Sequence, residues 1–329
     1  MTRCTFINIV VTIALIFLYT LQGGVKTVIW TDTLKSLCLI LSVVLCIVFV
    51  SRGLGDGGVM EHVKATGTTR IFFFDNPSEG TYFWKQFLAG IFMVIAMTGL
   101  DQDLMQRTLA SKNAAESKKG LIVSGITQVF VVALFLVLGT LLVAYTQSHG
   151  IALPDKADKL FSLVAWDGGM PIVVGILFVL GFISAGYSAA GSALTALTNS
   201  FLVDIMGEKL DDASLTRKRR VIHVGMAVVM GIIIFAFYLL NNDSAIKLVY
   251  DLASYTYGPI LGLFAFGMAC KVPVRDRWVP AVCIAAPVLS YILKWAMAQY
   301  CGYTIGFELL LYNAAFTILG LALLRKAQR

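Results

Sequence analysis

The sequence predicts an all-α integral membrane protein of about nine transmembrane helices, and three observations predict it. Hydrophobic residues make up 58% of the 329 and charged residues 14%, and the mean hydropathy is +0.82. A soluble domain carries about 45–50% apolar and about 25% charged residues. Apolar runs near the roughly 20 residues that a bilayer core of about 30 Å requires recur along the whole chain. The basic residues fall in short tracts between those runs, as a positive-inside topology requires.

The runs are Phe6 to Leu21, Thr33 to Val50, Phe83 to Leu100, Leu121 to Tyr145, Pro171 to Val203, Val221 to Leu240, Ala245 to Ala269, Trp278 to Met297 and Tyr303 to Leu324. Backbone amides in hydrocarbon must find partners within their own segment, so runs of this length and hydropathy are expected to be helices. Aromatic residues cluster near several ends, at Tyr82-Phe83-Trp84, Trp166 and Trp278, where an amphipathic ring suits the interface. Arg3 ahead of the first run resembles a signal peptide. The run continues to Leu21, however, and Gln22-Gly23-Gly24 is no A-x-A cleavage site, so a retained helix is expected.

One set of loops and tails holds Lys26, Arg107, Lys112, Lys118, Lys119, Lys209, Arg217, Lys218, Arg219, Arg220, Lys271, Arg275, Arg277, Arg325, Lys326 and Arg329. The other holds Arg3, Arg52, Lys64, Arg70, Lys85, Lys156, Lys159 and Lys247. Sixteen against eight predicts a multi-pass protein with its N-terminus outside and its C-terminus cytoplasmic. Two longer connections, Gly53 to Gly80 and Gln147 to Gly169, are then external. The first opens Gly53-Leu54-Gly55-Asp56-Gly57-Gly58 without a Walker lysine, so a flexible lid or linker is expected there and not a phosphate loop.

The net charge of +7 has no single basic face, which argues against nucleic acid as a partner. Cys4, Cys38, Cys46, Cys270, Cys283 and Cys301 are scattered without a C-x-x-C pair, and His62, His149 and His223 are far apart. No transition-metal site is expected. No nucleophile motif, phosphate loop or dinucleotide fingerprint is present, and no enzyme is predicted.

Polar residues within or beside spans are the functional candidates. Asp32, in Trp30-Thr31-Asp32, stands where the second run opens, as a helix cap or as an ion ligand. In the fifth run Ser184, Ala185, Ser188, Ala189, Gly191, Ser192, Thr195 and Thr198 recur at spacings of three, four and seven on adjacent rows of one helix. Small residues pack helices closely; hydroxyls and exposed carbonyls are also the hard oxygen donors sodium takes. Asp101, Gln102, Asp103, Gln106 and Arg107 follow the third run, as a solvated helix end or as a gate network with nearby lysines. Thr98 and Gln128 are the polar candidates for contact with a solute. Lys294 lies deep enough in the eighth run to need a polar partner.

Several of these segments together resemble the sodium:solute symporter family. Tyr19 through Asp32 (YTLQGGVKTVIWTD) resembles its YT-x-x-GG-x-x-A-V-x-WTD stretch, and Gln102 through Ala110 (QDLMQRTLA) its Q-x-x-x-QR-x-LA motif. Ser184 through Ile205 is similar to its small-residue helix ending in aspartate, here Asp204, and Tyr257-Gly258-Pro259 fits a later helix. The matches are ordered along most of the chain.

The resemblance implies a leucine-transporter-like fold of two inverted five-helix repeats. One membrane domain, 1–329, would hold the last two helices of repeat one (1–52), all of repeat two (83–269) and two C-terminal helices with a tail (278–329). The first three helices of repeat one would be missing, so a partial transporter is expected. The implied activity is symport of a small organic solute across the plasma membrane, with sodium as the coupling ion and no other cofactor. The implied partners are the lipid bilayer, sodium and the solute. The principal sodium site would fall on Ala185, Ser188 and Ala189, with Asp32 and Ser192 as further cation candidates. Ala189 stands in place of a second Ser or Thr, Gly191 in place of Asp or Ser, and Lys35 in place of Gln. The rival reading is a non-transporting membrane sensor or assembly subunit on the same fold.

Overall fold

The computed structural model describes residues 11–12, 14, 25–55, 57–67, 70–101, 104–105, 108, 111–154, 156–167, 169, 171–207, 215–240, 245–270 and 272–325. These residues are helical or irregular, and the β pairing among them is a single bridge between Val274 and Arg325. The helices are α1 (Val25–Gly53), α2 (Val59–Ala65), α3 (Phe83–Gly99), α4 (Ala114–Ser148), α5 (Leu160–Asp167), α6 (Ile172–Ser200), α7 (Leu215–Leu240), α8 (Ala245–Ala269), α9 (Val279–Cys301) and α10 (Leu309–Leu323). Six described helices are long and apolar enough to cross a membrane, namely α1, α4, α6, α7, α8 and α9, while α3 and α10 are shorter and apolar. Eight of the predicted runs therefore each hold a helix. Of the first run only Val11, Thr12 and Ala14 are described, and they are helical.

The helix ends depart from the hydropathy bounds for local reasons. Asn113 accepts a hydrogen bond from the Glu116 N–H at 2.8 Å, an N-cap that starts α4 one polar turn and more ahead of Leu121. The helix is then about 52 Å long, well beyond the hydrocarbon thickness. At the end of α9, Gly302 is left-handed (φ 61°), and Tyr303 N–H bonds the Met297 carbonyl at 3.1 Å, the closure that terminates a helix at glycine. Residues 303–308 stay irregular, and α10 begins only at Leu309.

The chain divides into two compact units, Met1–Thr69 with Ala110–Asn242 and Arg70–Leu109 with Asp243–Arg329. In unit 1 the core joins Val43, Cys46, Ile47 and Val50 of α1 to Leu138, Leu141 and Leu142 of α4, Val164 of α5 and Val174 of α6. A smaller cluster of Leu194 and Ala227, flanked by Tyr187 and Met230, joins α6 to α7. The glycine-rich stretch expected to be a flexible lid or linker contains α2, whose Val59 and Val63 pack on the unit 1 core.

In unit 2 the core is Met93 and Ala96 of α3, Ala253 and Leu261 of α8, and Leu310 and Ala314 of α10. Helices α8 and α10 meet through Gly258 and Gly262, a small-xxx-small pair that brings transmembrane backbones together. A Cβ on Gly262 would sit 2.7 Å from Thr317 Cβ, and one on Gly258 would overlap Asn313. Pro259 lies one residue on, inside α8. Proline has no N–H, so the Tyr255 carbonyl one turn back loses its helical donor. Asn313 supplies the replacement: its Nδ2 donates to Tyr255 O at 2.8 Å and to Ser254 O at 3.1 Å.

Candidate ion and solute site

The small-residue helix α6 lies in unit 1 against α1. A Cβ on Gly181 would come within 3.0 Å of Leu39 Cα, so this glycine permits the close approach of the two backbones. Val174, near the start of α6, shares a core with Val43 to Val50 near the end of α1, and the two helices are therefore antiparallel. From the Leu39–Gly181 contact, an equal step along each helix brings Asp32 level with Ser188. The backbone of Asp32 is helical and well inside α1, which starts at Val25. Asp32 therefore does not cap this helix, which corrects one of its two sequence readings; its side chain lies outside the described residues.

Along α6, Ser188 and Ser192 are half-buried and hydrogen-bonded or otherwise paired, while Ala185 and Ala189 are exposed. Two hydroxyls bond back to their own helix, Thr195 to Gly191 O at 2.9 Å and Thr198 to Leu194 O at 2.7 Å. The Thr198 proton is thus committed, so the hydroxyl accepts from His223 Nδ1 of α7 at 2.9 Å. That bond sets His223 as the Nδ1–H tautomer. Both side chains are buried. The last turn of α6 widens to a π-helix at Phe201–Ile205, a feature common at functional sites, and Ser200 Oγ donates to Asp204 Oδ2 at 2.5 Å.

A second set of candidates belongs to unit 2. The third predicted run does not continue to its polar end as one helix: α3 stops at Gly99, and the chain turns through Leu100 before Leu104 and Met105 are again helical. Asp101 caps that second piece, its Oδ1 accepting from Leu104 N–H at 3.1 Å and its carbonyl from Met105 N–H at 2.9 Å. The other oxygen of Asp101 accepts from Tyr257 Oη of α8 at 2.9 Å. Asp101 is accordingly half-buried and fixed between α3 and α8, not a solvated helix end. Thr98 is half-buried in the last turn of α3. Gln102, Asp103, Gln106 and Arg107 lie outside the described residues. Gln128 is exposed on α4.

Two charge pairs in unit 2 escaped the sequence reading. Lys294 of α9 finds Asp251 of α8 at 3.7 Å; a lysine deep in an apolar run was the signal, and only the packing of α8 on α9 names its partner. At the start of α3, Lys85 pairs with Glu308 at 3.2 Å, with side chains only 11% and 8% exposed. Lys85 also donates to Glu79 O and Thr304 O at 3.0 Å each and lies 3.9 Å from the Tyr303 ring centroid. Gln86 bonds Gly80 O, and Thr304 N–H bonds Ser78 O at 2.9 Å. The segment before α3 is thereby pinned to the start of α10.

Comparison with known proteins follows the same residues. The family model for the sodium:solute symporter family matches residues 5–273. The sodium/sialic acid symporter NanT of Aliivibrio fischeri is 25% identical over 77% of this chain and 52% of its own length. The sodium/sialic acid symporter SiaT of Proteus mirabilis is 25% identical over 78% of this chain and 53% of its own. The human sodium/iodide cotransporter is 24% identical over 78% and 41%. The chain thus spans about half the length of the curated bacterial relatives it matches. A solved structure described as the substrate-bound outward-open state of a Na+-coupled sialic acid symporter superposes with a TM-score of 0.74 at 21% identity. It covers 98% of this chain and 68% of that one, a likeness of fold.

Proposed function

The chain belongs to the sodium:solute symporter family, and on that premise we propose that it serves sodium-coupled symport of a small organic solute across the plasma membrane. Sodium is the coupling ion, held by Ser188 and the α6 carbonyls at Ala185 and Ala189, with Asp32 and Ser192 completing or extending the site. The observation that carries this reading is the antiparallel register of α1 and α6, in which Asp32 and Ser188 stand level. A carboxylate and a hydroxyl at one level of two closely packed helices bring together the oxygen donors a hard cation requires.

The solute site belongs at the break after α3. Interrupted transmembrane helices leave helix-terminal carbonyls and amides unpaired at membrane depth, and transporters use such breaks to hold solutes and ions. Thr98 and the Asp101–Tyr257 pair stand at this one, and the Asp101, Gln102, Asp103, Gln106 and Arg107 run is the gate beside it. Sialic acid heads the solute panel because two relatives are sodium/sialic acid symporters. The nine-helix count, the inverted repeats with the 1–52, 83–269 and 278–329 divisions, the external N-terminus and the cytoplasmic C-terminus belong to the same proposal.

Sodium binding to the purified protein tests it. A ligand at tenfold its Kd stabilises the fold by about 1.4 kcal/mol. Sodium is expected to raise the thermal midpoint saturably where equal potassium does not, and Ser188→Ala should move that response to higher sodium. Equal stabilisation by both cations would refute the ion site. Sodium-independent accumulation of the solute in proteoliposomes would refute coupling.

A further inference from the structure

The Asp251–Lys294 pair plays no part in the ion or solute site, and its surroundings have the chemistry of a ligand site. Asp251 and Tyr255 stand one turn apart on α8, and Tyr291 and Lys294 stand one turn apart on α9. The patch thus combines a carboxylate, an ammonium and two phenols. The two charged groups are 3.7 Å apart, looser than the 2.7–2.9 Å of a charge-assisted hydrogen bond, and their side chains are 33% and 31% exposed. Neither charge saturates the other.

The depth of the patch names the environment. At 1.5 Å per residue Asp251 sits about 9 Å from the start of α8 and Lys294 about 10 Å from the end of α9. These two helix ends lie at the same membrane face, because α8 and α9 are consecutive antiparallel spans joined by a short connection. Trp295 and Tyr300, each at least half exposed, stand between the level of Lys294 and that end of α9, where aromatic residues mark a membrane interface. Deeper along α9, Tyr291, Val288 and Ile284 are exposed at helical spacing. A partly desolvated anion–cation pair beside an interfacial aromatic belt faces lipid headgroups.

We propose that this patch binds the phosphoethanolamine headgroup of a phospholipid in the outer leaflet. The Lys294 ammonium takes the phosphate, snorkelling on its apolar stem, and the Asp251 carboxylate takes the lipid ammonium. The two phenols donate to phosphate or ester oxygens. Phosphatidylcholine offers no N–H to Asp251, and phosphatidylglycerol offers no cation, so the carboxylate makes the site selective.

Native mass spectrometry of the full chain in detergent reads occupancy directly. Phosphatidylethanolamine, phosphatidylcholine and phosphatidylglycerol with identical acyl chains are titrated separately. Phosphatidylethanolamine is expected to bind about tenfold tighter than either, the value of one hydrogen bond to a charged group. Asp251→Asn should erase its advantage over phosphatidylcholine, and Lys294→Gln should weaken all three. Free phosphoethanolamine at the same concentration should displace none of it. Equal binding of the three lipids by the unaltered protein, a preference for phosphatidylglycerol, displacement by the free headgroup, or a dimer in place of bound lipid would each overturn the proposal. The readout needs neither sodium nor solute, so it can fail without touching the transport reading.

Discussion

Substituting Gly258 by alanine should be the most damaging single methyl in unit 2. The added Cβ would overlap the Asn313 side chain, whose Cβ lies at 2.5 Å and is fixed directly to the α10 backbone. Asn313 must move, and its two hydrogen bonds to Ser254 O and Tyr255 O go with it. Overpacking a core costs about 1–3 kcal/mol, and an interhelical hydrogen bond within a membrane contributes about 0.6–1.7 kcal/mol. The total is about 2–6 kcal/mol, large against the 5–15 kcal/mol that typically holds a fold. Gly267→Ala in the same helix is the control: nothing lies within 4 Å of its added Cβ, and alanine is the better helix former by about 1 kcal/mol. Thermal unfolding of purified protein, followed by intrinsic tryptophan fluorescence, should fall by several degrees for Gly258→Ala and hold or rise for Gly267→Ala. Because both effects of Gly258→Ala act through the Asn313 side chain, Cβ included, adding Asn313→Gly should remove most of the additional loss. Equal midpoints for the two glycine variants, or full additivity with Asn313→Gly, would refute the reasoning.

Restoring a hydroxyl with Ala189→Ser should lower the half-saturating sodium concentration roughly five- to tenfold and Ser188→Ala should raise it, at about 1–1.5 kcal/mol per donor; sodium titrations normalised to folded protein read this, and unchanged values would return the α6 stripe to helix packing. Lys85→Met leaves the buried Glu308 carboxylate uncompensated and should cost about 3–5 kcal/mol, seen as faster proteolysis within 70–82. Lys85→Met with Glu308→Leu should regain most of that protection. In a cysteine-free background an impermeant thiol reagent added outside should label Ser162→Cys and miss Ser111→Cys; the reverse pattern would invert the topology.

Much of the membrane fold could be read in the chain because lipid imposes one local rule: each backbone amide must be satisfied within its own segment. Hydropathy and length therefore located eight helices, and the YTLQGGVKTVIWTD and QDLMQRTLA stretches located the family. The α6 stripe was legible for the same reason, since helical spacing alone puts Ser184, Ser188 and Ser192 on one face. What hydropathy could not supply was the identity of neighbours. The end of the third run at Leu100 was legible because polar Asp101 to Arg107 follow it; that the chain breaks at Gly99 and Asp101 is held by the Tyr257 hydroxyl and the Leu104 amide was not.

By itself the sequence determined the solvent of this protein, its helices and its family, since these follow from residue order and short-range spacing. Only the tertiary structure decided that Asp32 stands level with Ser188, that Asn313 satisfies the carbonyl orphaned by Pro259, and that Lys294 answers to Asp251. Each of these joins residues far apart in the chain whose meeting depends on helix register and close approach. A shift of one residue along α1 or α8 would turn each partner about 100° around its helix and break the pair while leaving hydropathy unchanged.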